Sequence, residues 1–139
     1  MNDLQKKLTT YSPTVLRIGM SIIAIWFGTQ EILNPQMWTS FVPDSIVTFS
    51  HLSANFLVHM NGAFELIFGI ALLLGIKTRI TAFLLTLHMF DITYVVGYSA
   101  LGIRDLGLAL GLLAVFMHGP SPVSFDQRKS KTEYSSTVI

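Results

Sequence analysis

ANFLVHMNGAFELIFGIALLLGI, residues 54–76, decides the fold. Over this run Glu65 is the only formally charged side chain, and the rest is apolar, small or weakly polar. An α-helix needs roughly 20 mainly apolar residues to cross ~30 Å of hydrocarbon, and lipid offers backbone polar groups no partner outside their own helix. The stretch therefore reads as a membrane span. Three more segments of the same kind surround it. One covers 13–33, with Pro13 expected in the first turn, where a missing N–H costs nothing, and Asn34-Pro35 as the stop. Another covers 79–98, and a shorter one 103–118 is ended by Gly119-Pro120. Tight connections between the later spans predict antiparallel neighbours, so the expected fold class is all-α, an integral membrane four-helix antiparallel bundle.

Composition supports this reading. Hydrophobic residues make up 51% of the 139 positions and charged residues 12%, against about 25% charged in ordinary soluble domains. The net charge of +1 offers no field to draw nucleic acid. The absence of cysteine removes disulfides, thiolate zinc sites and iron–sulfur ligation by this chain. Lys6 and Lys7 resemble the basic start of a signal peptide, but Arg17 breaks into the apolar run and no small-residue cleavage pattern follows, so the first helix is expected to be retained.

The domain is read as residues 1–120. Within it, 34–53 is an interfacial loop whose Trp38, Phe41 and Phe49 suit the headgroup boundary. The Ser/Thr-rich tail, 121–139, carries Arg128, Lys129 and Lys131 and is expected to be disordered and cytoplasmic. With the N-terminus inside, Lys6, Lys7, Arg17, Lys77, Arg79, Arg128, Lys129 and Lys131 share the cytoplasmic side, and Arg104 stands alone outside. That bias predicts a multi-pass protein of the plasma membrane with both termini cytoplasmic.

At 100° per residue each span carries a small and polar face. The first aligns Arg17, Ser21, Ala24, Gly28 and Glu31; the second aligns His59, Gly62, Glu65 and Gly69, with Asn61 beside Glu65. The third aligns Thr81, His88, Asp91 and Tyr98, and the fourth Arg104, Gly107, Gly111 and His118. The glycines read as close-packing positions between membrane helices. Packing does not call for Glu, His, Asp and Arg, which are costly in lipid and default to functional candidates. Counting ~1.5 Å per residue from the outer ends, Glu31, Arg104 and Asp105 lie roughly 3 Å deep, His59 about 7 Å, Asp91 about 10 Å, and Glu65 and His88 about 15 Å.

An outer-half polar pocket follows, with Glu31, His59, Asn61, Glu65, His88, Asp91, Arg104 and Asp105 as its candidate residues. Four acids share it with one cation and two histidines, so not all can be ionised together. A proton relay or a quinone contact suits such a set; an internal hydrogen-bond network that fixes helix register is the plainer alternative. A bis-histidine haem on His59 and His88 suffers from their difference in depth. A metal site from Glu65, His88 and Asp91 lacks the Glu-x-x-His pair of di-iron bundles, so no metal is expected. His51 and His118 read as interfacial surface residues, and Arg17 as a side chain reaching up to the cytoplasmic surface.

Three stretches together, LRIGMSIIAIWFGTQEILNP (Leu16 to Pro35), NGAFELIFGIALLLGIKTR (Asn61 to Arg79) and IRDLGLALG (Ile103 to Gly111), resemble the DoxX family of small four-helix membrane proteins. By that resemblance Arg17, Glu65, Thr78, Arg79, Arg104 and Asp105 match the family's recurring polar positions. Gln30-Glu31 departs from the lysine that the family often has there, making the outer cluster more acidic. The resemblance implies a link with membrane redox processes, among them the DoxD-type subunit of thiosulfate:quinone oxidoreductase. The function expected is thus a membrane subunit associated with a quinone-linked oxidoreductase complex, accessory more than catalytic, in contact with other subunits or with its own copies. A purely structural assembly subunit and a small transporter are the alternatives.

Overall fold

The computed structural model describes residues 2–130 of the chain. Among these residues four helices are long and apolar enough to cross a membrane: α1 (Asp3–Leu33), α3 (Ala54–Leu74), α4 (Thr78–Val96) and α5 (Ala100–His118). A short α2 (Asp44–Ser50) follows two 3-10 turns, Pro35–Met37 and Thr39–Phe41, in the connection between α1 and α3. Four helices bring the start of α1 and the described segment after α5 to one face, called here the terminal face. The α1–α3 connection and the α4–α5 turn lie at the other, the loop face.

The first helix starts ten residues before the expected boundary. Asn2 accepts from Gln5 N at 2.8 Å while the Gln5 side chain accepts from Asn2 N, a reciprocal cap that fixes the start at Asp3. Pro13 thus lies inside the helix. The Thr9 carbonyl that it cannot bond receives the Ser12 hydroxyl at 3.4 Å instead. At ~1.5 Å per residue the 31-residue helix outruns the hydrocarbon, and its first turns stand clear of the terminal face.

Two pairs make up the bundle. α1 lies along α3 and α4 along α5, with lighter contact between the pairs. Glycine permits the α1–α3 approach: a β-carbon on Gly28 would stand 2.6 Å from the Gly62 carbonyl oxygen, and one on Gly62 2.8 Å from that of Gly28. Gly69 meets Ala24 and Ile25 in the same way. The apolar core, Ala24, Leu72, Ala82, Leu85, Met89, Ala109, Leu112 and Val115, lies mainly in the half of the bundle nearer the terminal face.

That face is tied shut by polar contacts. Arg17, expected to reach the surface, is buried at 2% exposure. Its Nη1 donates to the Leu72 carbonyl at 2.6 Å and to that of Leu73, and its Nε donates to Ser121 Oγ at 3.0 Å. The reason is local: α3 ends in a left-handed Gly75, whose N–H and that of Ile76 bond Leu72 and Ala71, and the guanidinium meets carbonyls at the negative end of the helix dipole. Asp126 does the reverse for α4, accepting from Lys77 N at 2.9 Å, Thr78 N at 2.7 Å and the Thr78 hydroxyl at 2.9 Å. The expectation of disorder from Ser121 onward therefore fails for its first part. Ser121 and Ser124 are fully buried, and residues 125–130 are helical. The remainder of the expected tail lies outside the described residues.

Candidate functional site

The half of the bundle nearer the loop face encloses a cavity of about 260 Å³. α1 contributes Phe27 and Glu31 to it, α3 Val58, Asn61 and Glu65, α4 Met89 and Asp91, and α5 Arg104, Asp105 and Leu108. The α1–α3 connection covers it with Trp38, Phe41, Val42, Pro43 and Ile46. Trp38, expected in the headgroup layer, folds back so that its ring meets Phe27 edge-on at 5.7 Å. The two 3-10 turns make this return, following the stop that Asn34-Pro35 imposes on α1.

Three polar pairs line or floor this space. Asn61 donates to Glu31 Oε2 at 2.7 Å, linking α3 to α1. Arg104 bonds Asp105 Oδ1 through Nε and Nη2, each at 2.7 Å, and its guanidinium lies over the Phe27 ring, 4.6 Å from the centroid. Deepest is Glu65, 2% exposed, whose Oε1 stands 3.4 Å from His88 Nε2. The distance suits an ion pair, but the alignment falls short of a hydrogen bond. Glu65 Oε2 and Trp38 Nε1 are also buried and find no hydrogen-bond partner among the described residues. The His88 ring packs on Phe64 at 4.6 Å, which leaves it beside Glu65 and not among the cavity-lining residues.

Of the expected pocket set, Glu31, Asn61, Glu65, Asp91, Arg104 and Asp105 line one cavity, with His88 directly behind Glu65. His59 does not join them. It is exposed, its Nδ1 2.7 Å from the Asn55 carbonyl, because Val58 and Gly62, not His59, take the inward positions on α3. His59 and His88 are thus not brought to a common point. Among the described residues no three His, Asp or Glu side chains are grouped as metal ligands.

Of the expected packing glycines, Gly28, Gly62 and Gly69 are buried, and Gly111 meets the Met20 thioether. Gly107 is exposed, and an added β-carbon would touch nothing. The inward face of α5 is Gly102, Asp105, Ala109, Leu112 and Val115. Phe27, Trp38 and Met89 are cavity residues that the sequence pattern did not mark. The first two belong to an aromatic cluster around Asn34-Pro35, and aromatic side chains flanking a turn are the one signal that could have found them.

Fold and cavity together define a multi-pass helical membrane protein with an acid-lined chamber in the half away from the terminal face. The family model described as DoxX matches residues 12–98, and the chain belongs to this family. Neither a curated protein nor a solved structure matches the chain.

Proposed function

We propose that the chain is an accessory membrane subunit of a quinone-linked redox complex, and that the loop-face cavity is where a quinone-type ligand and its protons are handled. The observation that supports this is Glu65 with His88 behind it, a protonatable pair at the floor of a chamber whose walls, besides their polar residues, include Phe27, Trp38, Phe41 and aliphatic side chains. A quinone needs an apolar slot for its ring. It also needs an acid–base group at hydrogen-bond reach, because each two-electron step between quinone and quinol moves two protons. Electrons would come from a partner subunit. The placement of basic residues favours the plasma membrane with the terminal face in the cytoplasm, so the cavity opens toward the outside.

Glu65→Gln, assayed in membranes containing the host complex, is expected to lower quinol-linked turnover by roughly 10²-fold while leaving the amount of assembled complex unchanged. Unchanged turnover would remove the reading. The rival, a purely structural subunit, draws on exposed Gly107, a smooth place on α5 where another helix could approach closely. On that reading Gly107→Leu disrupts assembly and Glu65→Gln changes nothing.

A further inference from the structure

We propose that the loop-face cavity also binds small amphipathic organic cations, an ammonium group carrying an aryl or short alkyl body, in exchange for a proton on its carboxyls. The inference rests on reading this cavity as the functional site. Its lining holds four carboxyls, Glu31, Glu65, Asp91 and Asp105, against one cation, Arg104. Arg104 is already committed to Asp105 through two contacts. The acid deepest in the chamber, Glu65, has one oxygen without a partner among the described residues; His88 of α4 stands beside it, Glu31 of α1 and Arg104 and Asp105 of α5 share the chamber, and Asp91 of α4 lines it from an exposed position.

A buried carboxylate surrounded by other carboxylates must carry a proton or face a cation. Either occupant satisfies the same oxygen, so the two exclude each other and the site exchanges them. The walls suit the organic part of such a ligand. Phe27, Trp38 and Phe41 present aromatic rings, and Phe27 already accepts a guanidinium on its face at 4.6 Å. A volume of about 260 Å³ lies just under the ~300–1,000 Å³ of pockets for drug-sized ligands, which favours a body of one ring over a lipid chain.

The test uses the full chain in lipid nanodiscs and benzyltrimethylammonium, whose charge does not vary with pH, followed by quenching of tryptophan fluorescence. Its uncharged carbon isostere, neopentylbenzene, is the control. The cation is expected to bind saturably, at least tenfold more tightly than the isostere, with affinity rising about tenfold per pH unit where one proton is displaced. Glu65→Gln should flatten that pH dependence and weaken binding at least tenfold. Glu31→Gln, at the other end of the acid set, should weaken it less and keep the slope, which supplies a second reading if Glu65→Gln fails to fold. Equal binding of the isostere, or a pH-independent affinity in the unsubstituted protein, would overturn the inference. Duroquinone serves to separate the two claims: duroquinone binding without cation binding sinks this inference and leaves the proposed function standing, whereas binding of neither removes both.

Discussion

Glycine illustrates how one residue type carries different meanings along this chain. Gly28 and Gly62 face each other across α1 and α3 with backbone atoms as the obstacles, so neither helix can yield without moving away. Gly28→Ala is expected to cost about 1–3 kcal/mol, measured as a fall in the unfolding midpoint in detergent. Gly107→Ala, at an open position, should change stability by no more than about 0.5 kcal/mol. The sequence did not separate these two cases. In lipid an apolar side chain suits both the inside and the outside of a bundle, so on α5 hydrophobicity marks no face. The polar and small residues Arg104 and Gly107 then pointed one position away from the buried Asp105. On α1 the inward face was legible, because Arg17, Ser21, Ala24, Gly28 and Glu31 are spaced evenly along one uninterrupted helix and all five are buried, although Arg17 was expected to reach the surface.

At the scale of elements, two helix ends, the C-terminus of α3 and the N-terminus of α4, are satisfied by residues far away in sequence. Ser53 and Ser99 cap α3 and α5 locally, and such caps are legible as serine just before an apolar run. The N-terminus of α4 has no such residue, since Lys77 precedes it in a left-handed conformation, and Asp126 supplies the cap from across the terminal face. No sequence rule links positions 48 residues apart, and this is why the Ser121–Asp126 segment looked like an unstructured tail. Asp126→Ala should lower stability by about 1 kcal/mol. The Asp126 carboxyl is pushed up by partial burial, but the hydrogen bonds from Thr78 and Lys77 and the charge of Arg17 outweigh this and hold it below the ordinary carboxylate range. A carboxyl lowered by folding stabilises above its unfolded value and loses that contribution as pH falls through its folded value. The α4 cap should therefore be intact at neutral pH and fail only in acid below the usual aspartate range, a loss that Asp126→Asn removes from the unfolding curve.

For the whole molecule, the arrangement is two helix pairs with a dense apolar core toward one face and a chamber toward the other. The four-helix fold was legible because span length and apolar composition are set by the bilayer itself. The chamber was legible only in part. Its acids stood out as polar residues in lipid, whereas its aromatic cover depends on a chain reversal that periodicity does not encode. The terminal-face contacts add polar ties between the pairs, from Arg17 of α1 to Ser121 and from Asp126 N to the Gly75 carbonyl at the end of α3. Ending the chain after Gly119 should therefore lower the unfolding midpoint measurably more than ending it after Ser130, since only the first removes Ser121 and Asp126.

Arg17 gives this architecture an order in time. It belongs to α1, yet its partners are the end of α3 and Ser121, both made later, Ser121 after all four of the described spanning helices. During synthesis α1 carries a guanidinium into the bilayer region with no carbonyl or hydroxyl in place to receive it. The helix can take its final depth only after α3 has arrived, and the last hydrogen bond forms only once translation has passed Ser121. A chain stopped before Ser121 leaves the buried Nε without its partner, so the completed Arg17 site marks a chain translated through α5.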